Sequence, residues 1–324
     1  MRAIRQLSLG GPDVLELVDV PRPEAGPTEV LVRVAAAGVN PVDWKVRARG
    51  GFLGEPPFTV GWDVAGVVEE LGRGVTRFAP GNRVFGMPRF PREAAAYAEY
   101  VTAPSRQLAL IPEGLGDVGA AALPLAGLTA WQALVETAGV GPKSRVLILA
   151  AAGGVGHLAV QIAKARGAYV IGTARAEKHA FLASLGADEA VDYTTGPLAG
   201  GVDDVDVVLD LVGGETALDA LSTLRDGGVF VTVTGAADEV RDQAAGRVRL
   251  EGVLVEPGLA ADEVEDDVDL VRALGDVLAR VVDRLVRAEV GQERVLLRTR
   301  RPEHVRTPRP CDLHGEVSDA ARCG

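Results

Sequence analysis

Aromatic residues make up only 4% of this 324-residue chain, and there are just two cysteines. So few rings argue against a base-stacking surface, and a net charge of −11 offers no basic face for phosphate backbones. Nucleic acid is therefore not an expected partner. Cys311 and Cys323 both fall in the last fourteen residues, where they cannot staple the body of a fold. The histidines near them, His304 and His314, are too sparse and irregular for a metal centre. No apolar run reaches the ~20 residues needed to cross a bilayer. The opening Met1-Arg-Ala-Ile-Arg5 lacks the apolar core of a signal peptide. A cytoplasmic protein with no membrane partner is the expectation. There is no internal repeat. With 47% hydrophobic and 24% charged residues, the chain is of ordinary globular composition and long enough for two domains.

What is present is organised around Arg145-Val-Leu-Ile-Leu-Ala-Ala-Ala-Gly-Gly-Val-Gly156-His-Leu-Ala-Val-Gln-Ile-Ala-Lys164. The apolar run 146–150 has the length and branching of a buried parallel strand. It breaks into small residues, after which Leu158, Ala159, Ile162 and Ala163 recur at helical spacing up to Gly167. A strand, a tight turn and a helix start form a site for a pyrophosphate, because the first N–H groups of the helix and its dipole favour negative charge. Gly153 and Gly156 take the second and third places of the dinucleotide fingerprint and Ala151 the first, with Gly154 and Val155 between. The plainer alternative is a tight strand-to-helix connection. His157, after the last glycine, faces either phosphate or solvent.

The first third reads as short strands, at 4–9, 15–20, 30–36, 64–71 and 81–86, punctuated by Gly and Pro. Such spacing predicts a barrel-like domain. Asn40-Pro-Val-Asp43 reads as a turn opening a short helix. Residues 120–138 read as one or two helices. After the central turn, strands at 169–173, 189–192, 205–212, 229–234 and 250–255 alternate with helices at 177–185 and 215–224. That alternation predicts a parallel sheet with helices on both faces. From about 257 the chain turns acidic, then helical over 268–286, then Arg- and Pro-rich.

Several linked segments resemble the medium-chain dehydrogenase/reductase superfamily, in its zinc-independent quinone oxidoreductase (zeta-crystallin-like) branch. They are Gly38-Val-Asn-Pro-Val-Asp43-Trp-Lys, Gly61-Trp-Asp-Val-Ala-Gly66-Val-Val, Phe78-Ala-Pro-Gly81-Asn-Arg-Val-Phe-Gly86, Leu125-Ala-Gly-Leu-Thr-Ala-Trp131 and Ala151-Ala-Gly-Gly-Val-Gly156. The resemblance covers about residues 1–256. It implies an α/β protein: a Rossmann doubly wound parallel sheet plus a GroES-like β-barrel. The domains expected are a substrate domain over 1–119, a nucleotide domain over 120–256, and a return to the first domain over 257–324. A homodimer is also implied.

In the superfamily's alcohol dehydrogenases, a Cys in the first motif and a His in the second bind a catalytic zinc. Asn40 and Trp62 stand there in this chain, and neither is a good zinc ligand. No metal site is expected. The strand after the turn ends Thr173-Ala-Arg175-Ala-Glu-Lys178, with no carboxylate at the strand end to hold a ribose 2′-hydroxyl. Arg175 and Lys178 supply positive charge for a 2′-phosphate instead, and the resemblance adds Tyr193. NADPH is the cofactor expected; the alternative for both cations is a solvated loop pairing with Glu177.

Chemistry without a Lewis acid suits an acceptor whose negative charge spreads onto oxygen. Asn40 is the first candidate to face the nicotinamide or that oxygen, the alternative being a helix cap. Asp43 caps or braces the helix, and Lys45 is a candidate donor to a developing oxyanion. The resemblance places Thr129 near the nicotinamide; its alternative is a helix hydroxyl bonded to its own backbone. Val212, Gly213, Val233 and Gly235 end two neighbouring strands where ligands sit in open sheets, although both glycines also suit plain turns.

The family's closing strand has no counterpart in the last stretch, which lacks apolar alternation. The expectation for about the last thirty residues is a divergent, partly disordered tail, or else an Arg-rich arm for an acidic partner. Three functions compete: an NADPH-dependent quinone reductase, a reductase of alkenes conjugated to carbonyls (enoyl thioesters included), and a low-turnover nucleotide-binding protein acting through partners.

Overall fold

The computed structural model describes residues 1–198 and 200–257. The acidic run, the helix expected at 268–286, the tail, and with them Cys311, Cys323, His304 and His314, lie outside the described residues.

The chain opens with an antiparallel pair, β1 (Arg2–Gln6) and β2 (Leu15–Asp19). Next come β3 (Glu29–Ala37), α1 (Pro41–Arg49), β4 (Val64–Leu71), β5 (Arg83–Gly86), β6 (Tyr100–Pro104) and β7 (Leu108–Leu110). The last five strands form one antiparallel sheet in the order β6-β3-β4-β5-β7. Two register irregularities between β3 and β4 bend it, as bulges do, and the sheet curls into a half-barrel. Val30, Val32 and Val34 alternate along β3 into its core, where they meet Val60, Trp62, Met87 and Val101.

Three helical segments lead out of the barrel: α2 (Asp117–Ala121), α3 (Pro124–Trp131), and a π-helical stretch, Gln132–Thr137, that continues α3. The second sheet follows, with β8 (Arg145–Ile148), α4 (Gly156–Ala165), β9 (Tyr169–Thr173), α5 (His179–Leu185), β10 (Glu189–Val191), β11 (Val205–Asp210), α6 (Gly214–Ser222), β12 (Leu224–Thr232), α7 (Asp238–Ala244) and β13 (Arg249–Gly252). Every pairing is parallel and the order is β10-β9-β8-β11-β12-β13. Both faces are covered. Val146, Ile148 and Leu209 pack with Leu158 and Ile162 of α4, while Leu147, Val208 and Phe230 pack with Leu221 and Val240 on the other side. This is why the strands read as unbroken apolar runs. The order reverses between β8 and β11, which opens a crevice at the carboxyl ends of those strands.

Four strands stop two or more residues short of the expected ends: β1 at Gln6, β11 at Asp210, β12 at Thr232 and β13 at Gly252. At β11 the cause is Asp210, whose carboxylate accepts the N–H groups of Val212 and Gly213 at 2.9 and 2.8 Å and turns the chain out of the sheet. After β13 the chain crosses back: Val255 is buried in the barrel core, and the Gln132 side chain bonds both the N–H and the carbonyl of Glu256. Among the described residues, no helix is long and apolar enough to cross a membrane.

Candidate active site

The turn between β8 and α4 is open on one side and tight on the other. Gly153 and Gly154 are exposed, Val155 is half-buried and Gly156 is buried. A Cβ at 156 would come within 2.3 Å of the Ala150 carbonyl and 2.7 Å of the Ala151 Cα, so only glycine lets α4 sit this close to the strand. A Cβ at 154 would meet no atom within 4 Å. The turn is braced from behind. Thr173, at the end of β9, is buried, and its hydroxyl accepts the Ala150 N–H at 3.0 Å. His157 does not face solvent: it is buried, with Nδ1 2.8 Å from the Gly153 carbonyl. That carbonyl can only accept, so Nδ1 carries the proton.

Beyond β9 the backbone makes a short 3-10 turn, Ala176–Lys178, which presents cations at the sheet edge. Arg175 is exposed, and its Nε donates to the Tyr193 hydroxyl at 3.2 Å. Lys178 is exposed three residues further on. Asp192 is engaged with the Ala176 N–H and with Thr194.

At the crevice, Asp210 stitches two strand ends together. One carboxylate oxygen holds the turn at Val212 and Gly213, and the other accepts from the Thr232 and Thr234 hydroxyls at 2.8 and 3.3 Å. The Val212 side chain is half exposed above this turn; Val233 is half-buried, and Gly235 is exposed.

On the barrel side, Asn40 is the residue from which α1 starts, with Pro41 in the first turn. Its N–H donates to the Asp43 carboxylate at 2.7 Å, a brace across the first turn. Its side-chain Nδ2 donates to Asp63 at 2.9 Å. Asp43 also accepts the Tyr97 hydroxyl at 2.9 Å, and its second oxygen has no partner. Asp63, wholly buried, accepts the Leu125 N–H at 3.0 Å with its other oxygen. Burial raises Asp43 from 3.8 to about 6, against the bonds from Asn40 and Tyr97. Burial raises Asp63 further, to about 8, with the neighbouring Asp43 charge adding to it. Burial and Asp43 together push the Tyr97 hydroxyl well above its usual range. Thr129 on α3 is buried, and its hydroxyl donates to the Leu125 carbonyl at 2.7 Å, the backbone bond weighed as its alternative. Lys45 is exposed, two residues past Asp43 on another face of α1, and its ammonium lies 5.8 Å from the Trp44 ring centre.

Asp63 and Tyr97 were not among the residues expected from the sequence. Asp63 lies inside a quoted motif, but its partners are 23 and 62 positions away, and Tyr97 reaches Asp43 across 54. Asp210 was missed for a similar reason, since it lay inside an apolar strand. A carboxylate within such a run is the one signal that could have flagged it.

The donor set does not fit zinc. Asn40 offers an amide, a poor zinc ligand, whose Nδ2 donates to Asp63, and Trp62 is fully buried, donating its indole N–H to the Arg92 carbonyl at 2.7 Å. Among the described residues, no group of three His, Cys, Asp or Glu side chains could hold a metal ion. The glycine turn and the cations beyond β9, in contrast, fit a phosphorylated dinucleotide.

Comparison with known proteins agrees with this geometry. Residues 26–113 match the Alcohol dehydrogenase GroES-like domain and residues 154–273 the Zinc-binding dehydrogenase domain. Quinone oxidoreductase of Rattus norvegicus is 36% identical over 245 residues, 72% of this chain and 73% of its own. The NADPH-dependent alkenal/one oxidoreductase, chloroplastic, of Arabidopsis thaliana is 39% identical over 247 residues, 73% of this chain and 63% of its own. The structure of the quinone oxidoreductase from Coxiella burnetii superposes with a TM-score of 0.76 at 36% identity, covering 90% of this chain and 96% of that one. Against six curated relatives, the Arabidopsis protein included, the chain spans only 58–63% of their length. With a Rossmann sheet of standard strand order, a GroES-like half-barrel and these relatives, the chain belongs to the quinone oxidoreductase branch of the medium-chain dehydrogenase/reductase superfamily.

Proposed function

We propose that the chain is an NADPH-dependent reductase that passes hydride to quinones without a metal. The observation that carries this is the exposed Gly153-Gly154 turn, with free space where a Cβ at 154 would sit, at the start of α4. A diphosphate there would lie against backbone at the positive end of a helix. Arg175, Lys178 and Tyr193 are the residues that would hold the 2′-phosphate, and Val155, Thr173, Val212, Gly213, Val233 and Gly235 would shape the rest of the dinucleotide site. When bound, the reduced nicotinamide supplies the hydride. The chain's own part is to orient and to stabilise charge: Asn40 presents its amide to the nicotinamide or the acceptor oxygen, Thr129 borders the nicotinamide end, and Asp43 braces Asn40 from below. Lys45, exposed on α1, would donate to the developing oxyanion. A quinone spreads incoming charge onto oxygen, so positioning and a hydrogen bond suffice.

The Arabidopsis relative's name supports a second reading, reduction of carbonyl-conjugated alkenes. In the proposed division, residues 1–119 form the substrate domain and 120–256 the nucleotide domain, with a return to the first from 257. The same reading carries a homodimer, checked by sedimentation, and a cytoplasmic location, checked by fractionation; the chloroplastic relative works elsewhere.

The test is purified full-length chain with NADPH and panels of quinones and enones, followed by loss of nicotinamide absorbance, with and without a strong chelator. Quinone-dependent turnover that survives chelation is expected. Turnover on enones alone would favour the second reading. Tight NADPH binding without turnover on any acceptor, or activity lost to chelator and restored by zinc, would overturn the proposal.

A further inference from the structure

Resting on that reading of Asn40 and Thr129, we infer that Asp63 is the positioning residue that aligns the two sides of the reaction site. Its two carboxylate oxygens serve two domains. One accepts the Nδ2–H of Asn40, the residue that opens α1 in the barrel, at 2.9 Å. The other accepts the N–H of Leu125 in the first turn of α3, at 3.0 Å. The Leu125 carbonyl in turn accepts the Thr129 hydroxyl at 2.7 Å. A continuous chain, Asn40–Asp63–Leu125–Thr129, thus joins the two side chains assigned to the nicotinamide end.

The surroundings leave this chain little freedom. Asp63 has no exposed surface. Gly38 passes directly over it: a Cβ at 38 would come within 2.8 Å of the Asp63 Cβ and 2.3 Å of the Ala121 carbonyl. Glycine at 38 therefore lets strand β3, Asp63 and the end of α2 meet at one point. Trp62, the preceding residue, is fully buried, its indole donating to Arg92 and its ring edge-to-face with Phe90 at 5.2 Å. A short acidic side chain flanked by a clamped indole and a glycine crossing cannot drift.

The linkage also decides what Asn40 offers. An ionised Asp63 can only accept, so it fixes the Asn40 amide with Nδ2 inward. A protonated Asp63 can donate and so permits the opposite orientation of the amide. The titratable groups around this point are Asp43 and Tyr97, bonded to each other, with Arg47 acting on Tyr97; burial holds the Asp63 proton on to about pH 8. The effect is best read in the alkaline range, where the carboxylate is charged.

At pH 9, Asp63→Asn and Asp63→Ala should leave NADPH affinity and acceptor KM nearly unchanged while kcat falls by up to about 10²-fold, the scale of a misplaced positioning group. Asn40→Ala combined with either should lose no more than the more damaging single change, because both act through one linkage. In the wild-type chain, which needs no variant to fold, the Asn40 side-chain amide and the Leu125 N–H resonances should titrate with one shared midpoint. Unchanged kcat in folded Asp63 variants, losses that multiply with Asn40→Ala, or separate midpoints for the two resonances would each overturn the inference. A wild-type chain that binds no NADPH would instead sink the proposed activity, and the resonance titration would still test the linkage.

Discussion

In the proposed site, cofactor choice rests on single side chains. Arg175 and Lys178 stand exposed after β9, and Arg175 is steadied by the Tyr193 hydroxyl. Charge-assisted hydrogen bonds to a phosphate are stronger than neutral ones. Replacing Arg175 and Lys178 together by Ala should therefore weaken NADPH far more than NADH in calorimetric titrations. An unchanged ratio of the two affinities would remove the 2′-phosphate assignment. The position of Arg175 and Lys178 could be read from the sequence because they follow a strand end at short range. The Asp63 carboxylate could not be, because its meaning lies in Asn40 and Leu125, brought to it only by the closing of the fold.

At the level of the element, the turn into α4 separates two glycine roles that sequence alone runs together. Gly156→Ala would drive a methyl into the Ala150 carbonyl at 2.3 Å, and overpacking of this kind costs about 1–3 kcal/mol. Gly154→Ala meets open space, so the melting temperature should hold while dinucleotide affinity falls. If Gly154→Ala binds NADPH as well as the wild type, the diphosphate does not lie on that turn. One strand in each sheet was fully legible because period and burial agree: Val64–Leu71 and Tyr169–Thr173 fall where the apolar pattern placed them. β6, β7 and α7 went unread. Leu108–Leu110 is three residues long, and Tyr100–Pro104 is held by pairing with β3 more than by its own pattern. Asp238–Ala244 has a polar, acidic start that looks like a loop until α6 packs beside it.

For the whole molecule, Asp43 and Asp63 tie stability to pH. Both are raised above their ordinary 3.8, so the folded chain keeps protons that the unfolded chain has given up. Their contribution is full below about pH 4. It is lost as pH rises through about 6 for Asp43 and about 8 for Asp63. Urea unfolding of Asp43→Asn and Asp63→Asn should therefore show each variant gaining on the wild type as the solution becomes more alkaline. Parallel curves for variants and wild type from pH 4 to 9 would refute the shift. The buried Trp62 gives such an experiment a second use. Trp62 lies in the half-barrel core, while Trp131 ends α3 against the nucleotide sheet. Trp44 is half exposed and already wet. Indole emission moves to longer wavelength when water reaches the ring, so restoring Trp62 or Trp131 singly to a chain without the other tryptophans would let each half of the molecule be watched as it melts.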